Sequence, residues 1–225
     1  LYFIEGLPNA VVASLSVGYY MSMGLDNSQI AKLTSCLYLP WFLKGFFGSF
    51  VDSVATKRKW IFFCPILFAV CFAGLAFAGF LPNWIAVSAL GFWILGFASA
   101  SYDIAADGFY MLALDERRQS FFVGIRNAFY RLSVPFGQGA MLVVAGRCGK
   151  LLDSPQGGWA VAFLTCALIT AGAGAFFLKV LPYPQADSER AGFDSREILR
   201  NMGTAFGEFF RKKGFLSILA FVLFY

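Results

Sequence analysis

The sequence predicts an all-α membrane protein: six spanning helices, followed by the start of a seventh. Three observations carry that prediction. Of the 225 residues, 59% are hydrophobic and only 14% charged, against about 45–50% and about 25% in soluble domains, so charge is too scarce to coat a water-facing surface. Apolar stretches of about 20 residues, the helix length that crosses a hydrocarbon core about 30 Å thick, recur along the whole chain. Lys and Arg, 18 in all, sit mostly between these stretches, as topology signals do.

The first span runs over 1–20, from LYFIEGLPNA to the tyrosine pair Tyr19 and Tyr20. The second covers 31–51, the third 60–80, the fourth 84–112, the fifth 119–146 and the sixth 159–181, and a seventh begins at Phe215. Lys57, Arg58 and Lys59 occupy the loop after the second span, and Arg117 and Arg118 the loop after the fourth. Arg190, Arg196, Arg200, Arg211, Lys212 and Lys213 fall in the segment 182–214. The other side carries only Arg147 and Lys150, with Lys32 at a boundary. By the positive-inside rule the basic side is cytoplasmic, which puts the chain start and the 182–214 segment there.

The segment 182–214 opens with Pro182 and Pro184 and then turns polar. From Asp194 on, Ile198, Leu199, Met202, Ala205, Phe206, Phe209 and Phe210 recur at helical spacing, and Asp194 with Glu197 has the form of a capping box. That pattern predicts an amphipathic helix on the inner leaflet or against the cytoplasmic face of the bundle. The expected organisation is a six-helix bundle over 1–181, a cytoplasmic linker over 182–214 and a truncated seventh helix over 215–225. The chain opens at Leu1 and closes at Tyr225, each inside an apolar run and with no basic n-region ahead of the first, so it reads as a piece of a longer membrane protein.

Composition also excludes function classes. The cysteines Cys36, Cys64, Cys71, Cys148 and Cys166 match no metal or redox spacing, and four of them fall inside apolar segments as small hydrophobes. With no His, no nucleophile elbow and no phosphate-binding glycine loop, no catalytic residue, metal or other cofactor is expected, and ATP-driven transport by this chain is not expected either. Despite a net charge of +5, no basic stretch is interleaved with aromatics in a polar context, which argues against nucleic acid as a partner.

The informative residues are the ionisable ones inside the spans. Each costs at least about 2.5 kcal/mol at a helix centre and must face a partner or a water-filled cavity. They are Glu5, Lys44, Asp103, Asp107, Arg126 and Arg131. At about 1.5 Å per residue, Asp103 lies about 14 Å and Asp107 about 8 Å from the cytoplasmic end of the fourth span. On the same scale Arg126 lies about 10 Å and Arg131 about 18 Å inside the fifth, and Lys44 about 10 Å inside the second. Glu5 falls in the same half, so one polar layer is expected, with Asp103 level with an arginine of the next helix.

Arg126 and Arg131, with Tyr130 and Asn127 beside them, are the candidate ligands of an anionic substrate, because the planar guanidinium fork suits anionic groups, the other reading being that the two arginines pair with the buried carboxylates and staple the bundle. Glu5 is either a carboxyl that exchanges a proton in a partly dry cavity or a counter-ion for one of the arginines. Asp103 and Asp107, at i and i+4 on one face, are either further proton-coupling groups or staples of the bundle, and Lys44 leans to the structural role. Gly6 with Pro8, Pro40, and Pro135 with Gly137 and Gly139 place helix breakers at membrane depth, which is tolerated where neighbours or a cavity re-satisfy the backbone. The aromatics near the charges, Tyr2, Tyr38, Trp41, Tyr102, Tyr110 and Tyr130, read mostly as packing and interface anchors, the other reading being a stacking surface for a sugar or peptide.

Between the second and third spans, GSFVDSVATKRKW sets Gly48 and Asp52 before Lys57, Arg58 and Lys59. This resembles the signature loop of the major facilitator superfamily: a Gly, an Asp four residues on, then basic residues before helix 3. Three further stretches, LYFIEGLPNAVV, SYDIAADGFYMLALDERRQ and FFVGIRNAFYRLS, resemble the AmpG-like muropeptide permease branch of that superfamily. Glu5 stands where that branch often has Gln. The resemblance covers 1–181 and implies the six-helix amino-terminal half of a twelve-helix fold, plus the start of helix 7. It implies proton-driven uptake of a small-molecule substrate, anhydro-muropeptides, through a bacterial inner membrane by a protein that is monomeric at full length. It also implies that Gly48, Asp52, Lys57 and Arg58 form a cytoplasmic gate that latches the two halves. A carrier of sugars, sugar phosphates or acyl-CoA is the second reading, and a membrane sensor that transports nothing the third.

Overall fold

The computed structural model describes residues 1–44, 48, 50, 51, 54–184, 187, 200, 203, 204, 207 and 214. Among the described residues the regular elements are all helical and follow one another as six rods. The rod α1 comprises Tyr2–Ala10, a π-helical segment Val11–Leu15 and Ser16–Ser22. The next, α2, comprises Asn27–Thr34, a 3-10 segment Ser35–Tyr38 and Leu39–Phe42. Two uninterrupted helices follow, α3 over Lys57–Ala78 and α4 over Trp84–Ala113. Then α5 comprises Glu116–Pro135, a π segment Phe136–Ala140 and Met141–Leu151, and α6 covers Pro155–Val180.

Local chemistry sets these limits. The α2 rod begins at Asn27 rather than at 31, because Asp26 and Gln29 form a reciprocal capping box. Asp115 accepts from the Arg118 amide at 2.8 Å and starts α5 at Glu116, ahead of the expected 119. Ser154 accepts from the Gly157 amide at 3.1 Å with Pro155 in the first helical position, so α6 begins before the expected 159. The three breaker sites bend the local pitch without ending a rod. Proline lacks an N–H and crowds the carbonyl one turn back. Accordingly, Pro8 precedes the π segment of α1, Pro40 follows the 3-10 segment of α2, and Pro135 precedes the π segment of α5.

By length and apolarity alone, α3, α4 and α6 are long enough to cross a membrane. The rods α1, α2 and α5 are the interrupted ones. In the bundle α1 packs on α5 and α4, α3 on α4 and α6, α6 on α5, and α2 on α4. Close approach of α1 to α5 rests on small residues, Gly6 and Ala10 against Ser133 and Gly137. A Cβ on Gly6 would lie 1.9 Å from Ser133 Oγ, and one on Gly137 would lie 2.8 Å from Ala10 Cβ. At the α5–α6 contact a Cβ on Gly158 would lie 2.2 Å from the Ala145 carbonyl oxygen.

The two ends of the bundle differ. At one end the buried Tyr19 ring packs between Tyr20, Trp84, Phe92, Trp159 and Phe163, with centroids 5.3–6.0 Å away. At the other, basic end, the chain leaving α6 folds back over the start of α3. The Asp187 carboxylate accepts from the backbone N–H groups of Lys57 and Arg58, each at 2.9 Å, and the Arg58 guanidinium lies 3.5 Å over the Tyr183 ring. Asp52, the apolar stripe of the expected linker helix (Ile198, Leu199, Met202, Ala205, Phe206, Phe209 and Phe210) and the seventh span from Phe215 lie outside the described residues.

Candidate functional site

Four rods bring their ionisable side chains into one cluster towards the basic end. Glu5 comes from α1, Lys44 follows α2, Asp103 and Asp107 sit one turn apart on α4, and Arg126 comes from α5. One carboxylate oxygen from each of Glu5, Asp103 and Asp107 lies within 4.8 Å of the other two. Lys44 pairs with Asp103, and Arg126 Nη2 lies 3.1 Å from Asp107 Oδ1. The Tyr2 hydroxyl donates to that same Asp107 oxygen at 3.2 Å. Tyr2 and Tyr110 also flank the Arg126 guanidinium, with ring centroids 4.6 and 5.0 Å away, a contact that favours a cation. Tyr110 is held in turn by donating its hydroxyl to the Gln119 carbonyl.

Three carboxylates thus face two cations. Glu5 is 7% exposed, and its Oε2 is buried with no hydrogen-bond partner. The arrangement accommodates one further unit of positive charge, and no more if the cluster is to be neutral at membrane depth.

The expected polar layer is present, but its pairing differs from the expectation. Asp103 takes Lys44 rather than an arginine, and Arg126 takes Asp107, one turn nearer the basic end. Arg131 stands apart. Five residues from Arg126, it points about 140° away around the helix. It is exposed together with Asn127, one turn earlier on the same face, and makes no ion pair among the described residues. Tyr130 is partly buried between the two faces. Tyr2 and Tyr110 belong to the aromatics expected mostly as packing and interface anchors. Their nearness to charged positions was the one signal that they brace Arg126.

Residues 1–225 match the family model of the Major Facilitator Superfamily. The chain belongs to that superfamily. It is an integral membrane protein and a secondary transporter, in keeping with its apolar spans and all-helical architecture. No curated protein matches the chain.

In this superfamily member Lys57 and Arg58, two of the four residues expected to form a gate, start α3. The Lys57 side chain crosses the α4 backbone at Gly108, where an added Cβ would lie 2.3 Å from Lys57 Cε. Arg58 lies under Tyr183 with its Nε 3.5 Å from the Leu181 carbonyl, so the segment after α6 holds it. Gly48 is helical, with open space around an added Cβ. Asp187, which caps the start of α3, went unnoticed in sequence, since a lone Asp in a polar linker carries no signal.

Proposed function

We propose that this transporter takes up muropeptides or a related cell-wall saccharide together with protons, by alternating access. The charge count around Glu5 carries the reading. A carboxylate that is buried, has one oxygen without a hydrogen-bond partner and lies beside two others matched by only two cations is neutral when it holds a proton and charged when it gives the proton up. In this reading Glu5 carries the proton, with Asp103 and Asp107 coupled to it through their shared space. Arg131, Asn127 and Tyr130 offer the substrate a cation, an amide and a phenol on the free side of α5. Arg126 joins them by leaving Asp107, which links substrate binding to the protonation of the cluster. Residues 1–181 form one half of the carrier in a bacterial inner membrane, 182–214 link it to a second half beginning at 215, and the basic end faces the cytoplasm. Gly48, Asp52, Lys57 and Arg58 form the gate there, and the full-length protein works as a monomer.

The test is uptake of labelled anhydro-muropeptide into vesicles with an imposed pH gradient. Glu5→Gln is expected to abolish accumulation driven by the gradient while leaving exchange between two equal substrate pools. Arg131→Ala is expected to weaken uptake about ten-fold or more, the worth of one charge-assisted contact. Full gradient-driven uptake by Glu5→Gln would remove the coupling role. Competition by sugars, sugar phosphates or acyl-CoA in place of muropeptide would reassign the substrate.

A further inference from the structure

Gly108 lies inside α4, which continues unbroken to Ala113, so it caps nothing. Its φ is negative, as in any helical residue. Neither a turn nor a cap asks for glycine here, and glycine weakens a helix interior. What the position supplies is room. An added Cβ would overlap Cδ and Cε of Lys57 and lie 2.9 Å from its Nζ. The other two glycines of α4 make room for apolar packing, Gly91 for the Leu75 side chain and Gly96 for Pro40 and Trp41. At Gly108 the occupant is a cation from the start of α3.

The backbone of Lys57 is fixed, since its N–H donates to the Asp187 carboxylate at 2.9 Å. Its side chain is a flexible stem with a point charge at the tip, and where that charge is presented depends on where the stem is confined. Laid across α4 where no side chain stands, Lys57 is half-buried, whereas Lys59, two residues on, is exposed. A lysine stem covers apolar surface well while its ammonium stays at the polar end. The seat at Gly108 therefore sets the direction of the Lys57 charge at the basic end. The atoms that a methyl at 108 would meet are the far end of a movable side chain. Such a methyl evicts Lys57 and leaves both helices in place.

We propose that Gly108 is a positioning residue of the cytoplasmic gate: the space left by its missing side chain seats Lys57 and directs the ammonium to its place there. This rests on the reading of Lys57 as a gate residue. It also gives a sign that a glycine kept only for packing would not. Alanine is the better helix former, so Gly108→Ala keeps or raises the stability of α4 while it unseats the gate cation.

The experiment is timed lysine acetylation of the full-length transporter in nanodiscs, read by mass spectrometry, with sulfo-N-hydroxysuccinimide acetate as the probe. Gly108→Ala is expected to speed acetylation of Lys57 about five-fold, as for uncovering one or two methylenes, with Lys59 unchanged and the melting temperature no lower than the parent's. Gly74→Ala in α3, where an added Cβ meets open space, is the control and should alter neither lysine. Uptake of labelled anhydro-muropeptide into vesicles reads the gate. Lys57→Ala and Gly108→Ala should each lower the maximal rate about three-fold or more with the half-saturating concentration unchanged. The pair should be no slower than Lys57→Ala alone, because nothing is left to evict. Unchanged acetylation of Lys57 in Gly108→Ala overturns the proposal, and so does a fall in its melting temperature that Lys57→Ala does not restore. A parental rate in Gly108→Ala beside a slow Lys57→Ala overturns the positioning role alone. A parental rate in Lys57→Ala removes the gate reading and the proposal with it, and the acetylation result shows which of the two failed first.

Discussion

Lys44 and Arg126 each hold an aspartate of α4, but their surroundings differ. Lys44 meets Asp103 as a single ammonium, whereas Arg126 sits between two phenol rings and shares Asp107 with the Tyr2 hydroxyl. Lys44→Ala would strand a carboxylate that is only 16% exposed, and it is expected to cost about 2 kcal/mol or more in stability. Lys44→Ala with Asp103→Asn should recover most of that loss, because no uncompensated charge is left. Thermal melts of the two variants in detergent check this, and a double variant as unstable as the single one would remove the pairing as the cause. Arg126→Lys is expected to do more harm than Tyr2→Phe, since it gives up both the ring stacking and the fork, while the phenol contributes one hydrogen bond worth about 1 kcal/mol. The polar layer was legible because ionisable residues inside apolar runs must find each other. Its pairings were not, because depth along a helix says nothing about direction around it, and Arg126 and Arg131 differ chiefly in that direction.

Among the elements, α1 and α5 run side by side with their π segments facing at the same level, and small residues set the contact below them. Two glycines, Gly6 at the α1–α5 contact and Gly158 at the α5–α6 contact, are close for different reasons, and that difference predicts different outcomes. The Cβ of Gly6→Ala would meet the Ser133 hydroxyl, the movable end of a side chain, at 1.9 Å. The substitution should cost about 1–3 kcal/mol, most of which Ser133→Ala recovers by removing that oxygen. At Gly158 the obstacle is backbone, the Ala145 carbonyl at 2.2 Å and the Gly149 nitrogen at 2.5 Å, so Gly158→Ala should be worse and no neighbouring truncation should rescue it. Melting temperatures of the single and paired variants separate the two cases. The six rods and their irregular points could be read from apolar length and proline position. The α1–α5 contact could not, since Gly6 reads equally well as a breaker, and only the position of Ser133 shows it to be a packing residue.

Across the whole molecule, the two ends are closed by different physics. The far end is an aromatic core around the buried Tyr19, whose hydroxyl has no hydrogen-bond partner. The basic end is held by a strap of polar contacts from Leu181, Tyr183 and Asp187 to the start of α3. Apolar packing of the first kind makes a rigid body, whereas a few hydrogen bonds to backbone at a helix start can open without unfolding anything else. The proposed gate lies at the strapped end, and in a secondary transporter, which must expose its site to each side in turn, that end is expected to move. The amides of Lys57 and Arg58 occupy the first turn of α3, where no carbonyl of the helix can reach them, and both donate to the Asp187 carboxylate. Asp187→Ala is therefore expected to speed hydrogen exchange at these two amides by roughly thirty-fold, the equivalent of about 2 kcal/mol for charge-assisted bonds. The Lys59 amide is the internal control, since it donates to Thr56 Oγ1 at 3.2 Å and should keep its rate. Acceleration of all three would mean that the start of α3 frays as a unit. No acceleration at Lys57 and Arg58 would mean that the strap does not hold this end of the bundle in the membrane.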